Sequence, residues 1–294
     1  MEWAWLPLPA RQPEPDNEIV LEGPNPCRVL LLHGLTGTPT EFGYIAHYLR
    51  HRAGVSVECR RLANHGQPIA LLARTRWEEL LDSARGHLDR AAASARADGV
   101  PLVVGGLSLG AVLSLILAAE RPADVQGVAA LSPTLFYDGW NVPWTQRLIG
   151  LADWLPMKGL VWLRESPPYG IKDEALRTKV ARAYESARLG EDAHAAEYGY
   201  SHFPLRLFCE MRHLIALCIR SLPAVTAPVL VLQAREDEAT SPRNAEFILA
   251  KAASPRKELV MLENSYHVIT ADHDRGLVSE RMADFCRSLA EPAG

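Results

Sequence analysis

The run Val103-Val104-Gly105-Gly106-Leu107-Ser108-Leu109-Gly110 constrains this chain more than any other stretch. It places one serine between glycines at minus two and plus two, the G-x-S-x-G spacing. A serine thrust out on a sharp strand-to-helix turn has its backbone pressed against neighbouring elements, and residues without a Cβ suit both flanking positions. The pattern alone is also compatible with an ordinary Gly-Ser turn, so its context decides. Pro101 to Gly105 is a short apolar run bounded by turn residues, as a buried parallel strand should be. Leu109 to Glu120 is apolar, rich in Ala and Leu, and stops at Arg121-Pro122, as a buried helix should. Strand, turn and helix together predict an exposed, reactive Ser108.

The flanking segments repeat the strand–helix alternation. Arg28 to Leu32 reads as a strand ending at His33-Gly34-Leu35-Thr36-Gly37, before a helix with Thr38 as N-cap, Pro39 at N1 and Glu41 at N3. That spacing predicts a capping box. Val55 to Cys59 reads as a strand, Thr75 to Ala97 as a long amphipathic helix, and Val125 to Leu131 as another strand. Near Pro228 the pattern resumes with the strand Val229 to Gln233, a helix from Ser241-Pro242, the strand Glu258 to Leu262 and a closing helix Gly276 to Leu289. Such alternation means a mostly parallel central sheet with helices on both faces.

Between about Thr134 and Leu222 the alternation breaks, and only helical stretches separated by proline and glycine are expected. Residues 1–133 and 223–294 then form a discontinuous core, 1–17 an N-terminal arm, and 134–222 a helical cap insertion over the strands' C-terminal ends. Ligands bind at that edge in open α/β sheets. The cap stretch Trp140 to Leu163 is rich in Trp, Leu, Val, Ile and Met. It reads either as the lining of an acyl-chain tunnel or as the packing of the cap on the core.

With 294 residues, 48% of them hydrophobic, the chain can bury one large core and an inserted subdomain. A formal net charge of −4 with scattered Lys and Arg leaves no basic footprint for nucleic acid or for an anionic membrane. Five cysteines without a C-x-x-C read as reduced and mostly buried, as in a cytoplasmic protein. The N-terminal segment has neither the basic n-region nor the unbroken apolar h-region of a signal peptide. No stretch approaches the roughly 20 apolar residues that cross a bilayer, so integral membrane association is not expected.

A serine hydroxyl needs a base within hydrogen-bond reach, and the base needs an acid to hold its tautomer. The chain order after such an elbow is Ser, acid, His. Asp237 lies just past the strand Val229 to Gln233, and His267 follows the strand ending at Leu262. Glu236 and Glu238 flank Asp237, and Asp272 is a further acid near His267 that also suits the start of the last helix. The transition-state oxyanion needs two backbone N–H groups. Leu109, which follows the serine, and Leu35, in the His33–Gly37 loop, are the expected donors. His33 is expected to hold that loop rather than to act in catalysis. No H-E-x-x-H or Cys/His spacing supports a metal, and neither metal nor organic cofactor is expected.

The pieces LLLHGLTG, GGLSLGA, VLVLQAREDEATSP and HVITAD together resemble the serine carboxylesterase branch of the α/β-hydrolase fold. The resemblance lies near the small thermostable carboxylesterases and bacterial monoacylglycerol lipases, and spans about residues 28–132 and 226–290. It implies an α/β-hydrolase fold with Ser108, Asp237 and His267 as the triad and the amides of Leu35 and Leu109 as the oxyanion hole. Three activities fit such a chain. The first is hydrolysis of small-molecule carboxylic esters with a lipophilic acyl group. The second is acyl thioester hydrolysis, on acyl-CoA or acyl-carrier-protein, with the same triad. The third is a non-catalytic binding module on the same fold.

Overall fold

The computed structural model describes residues 17–24, 26–142, 161–189 and 199–290. Along the chain, β1 (Ile19–Leu21) and β2 (Arg28–Leu32) lead through a 3-10 turn (Pro39–Phe42) into α1 (Gly43–Ala53) and β3 (Ser56–Cys59). Then come α2 (Ile69–Leu72), α3 (Trp77–Asp98), β4 (Leu102–Leu107), α4 (Leu109–Glu120) and β5 (Gly127–Leu131). They are followed by β6 (Trp162–Arg164), α5 (Glu174–Leu189), β7 (His202–Pro204) and α6 (Leu205–Ser221). The last stretch holds β8 (Val229–Ala234), α7 (Arg243–Lys251), β9 (Lys257–Leu262) and α8 (Arg275–Ala290).

Seven strands make one sheet in the order β1-β3-β2-β4-β5-β8-β9. All neighbours run parallel except β1, which pairs antiparallel with β3 at the edge. This is an α/β-hydrolase fold. Side chains alternate across the pleat and so sort the core into two faces. Leu30, Leu32, Val104, Val128 and Val231 pack with α3, α4 and α6, through residues such as Leu88, Leu113 and Met211. Val29, Leu31, Val103, Leu131 and Leu232 pack on the other side with Ile45 and Leu49 of α1 and Met282 and Phe285 of α8. Each fully buried Leu, Ile, Val, Met or Phe contributes about 1.5–3 kcal/mol. α4 is buried along its whole run from Leu109 to Ala118, which is why its sequence is apolar all round.

The register brings the C-terminal strand ends to one edge. Leu32 pairs with Gly106, Leu107 with Leu131, Leu131 with Leu232, and Ala234 with Leu262. Beyond that edge lie the His33–Gly37 loop, Ser108, the Asp237 loop and the His267 loop. Between β4 and α4 a single residue makes the turn. Ser108 adopts φ 55° and ψ −110°, outside the regions ordinary residues favour. The two glycines make this possible. A Cβ on Gly110 would lie 1.8 Å from Leu32 O, and one on Gly106 would lie 2.4 Å from Gly110 C and 2.6 Å from Leu32 O.

Four expectations need correction or a limit. The segment 134–222 does contain strands. β6 and β7 pair antiparallel, Trp162 opposite Pro204 and Arg164 opposite His202. Three-residue strands some forty residues apart leave no alternating pattern to read. β1 is equally short, three residues, and leaves no alternating pattern either. The capping box at Thr38 is not formed: Thr38 makes no side-chain cap bond, and Glu41 reaches elsewhere. Most of the apolar stretch assigned to tunnel or packing (143–160), and the arm up to residue 16, lie outside the described residues. All five cysteines are buried, and none is in a disulfide. No helix among the described residues is long and apolar enough to cross a membrane.

Gly110→Ala forces a methyl into the Leu32 carbonyl, a contact between backbones that no rotamer relieves. The variant is expected to lose at least about 1–3 kcal/mol of stability, read as a lower urea midpoint at unchanged m-value.

Candidate active site

The loop after β8 turns on Asp237. Its carboxylate is fully enclosed and accepts hydrogen bonds from Ala239 N–H (2.9 Å), Thr240 N–H (2.9 Å), Thr240 Oγ1 (3.0 Å) and Gln233 Nε2 (3.0 Å). A buried charge needs such saturation. The remaining bond goes to His267, whose Nδ1 lies 2.9 Å from Oδ2 and 3.1 Å from Oδ1. An acceptor at Nδ1 places the proton there and leaves Nε2 as the free base. Next door, Glu238 accepts the His267 backbone N–H at 3.1 Å. Burial pushes the imidazole down, but Asp237, then Glu238 and Glu41, hold its protonated form and raise it to about 9.

Ser108 stands at the edge of the same sheet. Its hydroxyl is 2.9 Å from Thr134 Oγ1, and the Thr134 hydroxyl also lies 3.4 Å from Ser132 O. The Ser108 hydroxyl is therefore parked on Thr134 rather than on the imidazole. Leu109 N–H opens helix α4, where the first turn has no intrahelical acceptor. Among the described residues, neither Leu109 N–H nor Leu35 N–H has a protein acceptor. Two neutral histidines hold the Leu35 loop, both lowered by burial. His33 Nδ1–H donates to Gly34 O at 2.9 Å while its Nε2 accepts from Leu62 N–H at 3.0 Å. His65 Nε2–H donates to Leu35 O at 2.8 Å. Among the described residues no group of His, Cys, Asp and Glu is arranged to hold a metal ion.

This arrangement has known relatives. Residues 24–274 match the family described as serine aminopeptidase, S33. The chain belongs to this family. It is 27% identical over 266 residues to a thermostable monoacylglycerol lipase from Bacillus sp. (strain H-257), covering 88% of this chain and 90% of that protein. It is 26% identical over 273 residues to a carboxylesterase from Bacillus subtilis (strain 168), covering 89% and 92%. Among solved structures it is similar to one reported for the metagenome-derived lipolytic enzymes LipS and LipT, with a TM-score of 0.74, 26% identity and coverage of 94% and 100%. A monoacylglycerol lipase of Paleococcus ferrophilus shares the fold at a TM-score of 0.73 and 19% identity. The S33 chain is thus an α/β-hydrolase of the lipase and esterase type.

Around this family's fold the structure assigns work to residues that local patterns did not reveal. Thr134 and Glu238 touch Ser108 and His267 but lie in loops whose polar residues read as solvated. Glu165, just after β6, is half-buried beside the Leu35 loop, accepting from Thr36 Oγ1 at 3.4 Å, and desolvation raises its carboxyl to about 7. Asp272 does not approach His267 as an acid partner. Its two oxygens accept the backbone N–H groups of Lys172 (2.7 Å), Asp173, Tyr266 and His273 (2.9 Å each). It therefore ties residues 172–173 to the His267 loop. Glu236 points away, to an ion pair with Lys172 at 2.7 Å.

Asp272→Asn replaces one of the two oxygens by an NH2 group that faces two of those N–H donors. The expected cost is about 1–3 kcal/mol for the unmet groups, read by urea unfolding.

Proposed function

We propose that this carboxylic ester hydrolase cleaves esters with a lipophilic acyl part through a triad of Ser108, His267 and Asp237. One observation carries the reading: the Asp237–His267 pair and the strained Ser108 turn share a sheet edge with two backbone N–H groups that lack acceptors. Rotation about Ser108 χ1 moves the hydroxyl from Thr134 toward His267 Nε2. His267 takes the proton as Oγ bonds to the ester carbonyl carbon. The oxyanion rests on the N–H groups of Leu35 and Leu109, which strengthen as charge develops. The C–O bond to the alcohol then breaks, and the imidazolium returns its proton to the leaving oxygen. Water repeats the sequence on the acyl-enzyme, releasing the acid and restoring Ser108. Asp237 stays ionised and fixes the tautomer. No step calls for a metal or cofactor.

In this reading the segment 134–222 covers the site and shapes the acyl pocket. Its described parts approach the reacting groups through Glu165, and through Tyr200, whose N–H donates to Thr36 O at 3.0 Å. The lipase and carboxylesterase relatives support a lipophilic ester as substrate.

Hydrolysis of p-nitrophenyl esters from acetyl to palmitoyl, with Ser108→Ala in parallel, tests the assignment. Turnover is expected with at least one chain length and a fall of about 10³-fold or more in Ser108→Ala. Unchanged turnover in the variant would remove Ser108 as nucleophile, and activity on acyl thioesters alone would replace the ester reading. A second test follows from the imidazole. The base works only when neutral, and it is held protonated to about pH 9. The ratio kcat/KM is therefore expected to climb about tenfold per pH unit up to a limb near that value. A limb near the ordinary histidine range would show that the surrounding carboxylates do not act on it.

A further inference from the structure

The sequence places Glu41 three residues after Thr38, as the reciprocal half of a capping box. Its carboxylate instead turns back beneath the Leu35 loop. Oε2 accepts the Gly34 N–H at 3.0 Å. The carboxylate also fills the space a side chain at Gly37 would occupy: a Cβ there would lie 1.5 Å from Oε1, 2.3 Å from Cδ and 2.9 Å from Oε2. A Cβ on Gly34 would lie 3.5 Å and 3.6 Å from the same two oxygens. The loop and the acid are thus packed against each other: the absence of a side chain at Gly37 leaves the acid its place, while Gly34 meets it at ordinary van der Waals distance.

From these contacts we infer that Glu41 is a positioning residue for catalysis, holding the backbone that aims Leu35 N–H. The inference rests on the reading of Leu35 N–H as an oxyanion donor. Its physical basis is the planarity of peptide units. Leu35 N–H and Gly34 C=O belong to one plane, and that carbonyl is held by His33 Nδ1–H at 2.9 Å and Gly37 N–H at 3.3 Å. The preceding plane carries Gly34 N–H, and Glu41 holds it. The two planes meet at Gly34, which has the broadest torsional freedom of any residue. Pinning both is what converts a permissive glycine into a fixed direction for the donor. An oxyanion donor displaced by an ångström loses much of its value, because the stabilisation is preorganised.

The acid also faces titratable groups from several elements. Its carboxyl is raised by burial to about 7, opposed by the Gly34 N–H and by His267. It acts in turn on His267 from the loop after β9, on the Cys59 thiol of β3 and on the Tyr184 hydroxyl of α5. Two effects therefore separate chemically. The hydrogen bond to Gly34 needs only an acceptor oxygen, whereas support of the His267 proton needs the negative charge.

Three variants assayed on the best p-nitrophenyl ester, beside wild type and Ser108→Ala, test the role. Glu41→Gln keeps an acceptor for Gly34 N–H, so kcat is expected within about threefold of wild type, while the acid limb of kcat/KM moves to lower pH. Glu41→Ala removes the acceptor, and kcat is expected to fall about 10- to 100-fold with KM within about threefold, as for loss of an interaction made in the transition state. Gly37→Ala evicts the carboxylate by its methyl and is expected to reproduce the loss in kcat. Should Glu41→Ala not fold, Glu41→Gln and Gly37→Ala decide between them. Wild-type kcat in Glu41→Ala or Gly37→Ala, an equal loss in Glu41→Gln, or a change confined to KM would overturn the role. Each of these leaves the nucleophile assignment intact, which only an active Ser108→Ala would remove.

Discussion

The approach of α4 to the end of β2 sets the conditions for everything at the C-terminal edge of the sheet. Gly110 lies where a Cβ would be 1.8 Å from the Leu32 carbonyl, so the helix begins closer to the strand than any residue with a side chain permits. The chain must then pass from β4 to α4 through one residue, and Ser108 takes a positive φ. Such a conformation costs on the order of 1–3 kcal/mol in a non-glycine residue. Ser108 N–H on Leu131 O, and the N–H groups of Ala111 and Val112 on Ser108 O, hold it in place. The burial of α4 on all sides outweighs that strain several times over, at about 1.5–3 kcal/mol for each of its leucines. The same closeness makes the loop after β2 leave the sheet beside the serine, which is where an oxyanion donor has to be.

The second constraint is electrostatic. The Asp237 side chain is closed off from bulk solvent, and five donors satisfy its carboxylate instead. Because four of them belong to its own loop and strand, the carboxylate cannot turn, and His267 Nδ1 must come to it. Glu238 holds the His267 backbone from the adjacent position. The imidazole is thus fixed at both ends, side chain and main chain, by consecutive acids of one loop. The consequence is a base of unusually high affinity for protons, since Glu238 and Glu41 add their fields to that of Asp237. In the proposed mechanism, strong retention of the proton favours the imidazolium formed during acyl transfer, and it moves the working range of the resting base upward.

What the sequence made legible follows the range of the forces involved. The limits of α4 came out at Leu109 and Glu120 because burial on all sides and the Arg121-Pro122 stop are both local signals. The buried strands read correctly within a residue or two, since each is a short apolar run between turn residues. The pairing of Asp237 with His267 rests on chain order after the elbow, and the structure brings the two within 2.9 Å. Glu41 shows the limit of local reasoning. A capping box and a long-range bond to Gly34 have the same sequence pattern, and only the folded loop decides which acceptor the carboxylate serves. Asp272 suited the start of a helix equally well. Its real partners, Lys172 and Asp173, lie 100 and 99 residues away. Three-residue strands such as β6 and β7 are stabilised by each other and by their surroundings, and leave no period.

Long-range bonds also tie the described residues 161–173 and 199–200 to the loops that carry Leu35 and His267. On one side Tyr200 N–H donates to Thr36 O, and Gly199 lies where a Cβ would be 2.3 Å from that same oxygen. Glu165 meets the Thr36 hydroxyl from just after β6. On the other side Val268 N–H donates to Gly170 O at 2.8 Å, and Asp272 clamps Lys172 and Asp173. The first set of contacts ends on the residue after Leu35, the second on the residue after His267. A shift of these residues relative to the sheet therefore cannot leave both Leu35 and His267, the proposed donor and base, unmoved. Under the proposed mechanism, substitutions at these contacts will be felt in kcat as well as in KM, because residues 165–173 and 199–200 share hydrogen bonds with the loops that carry Leu35 and His267.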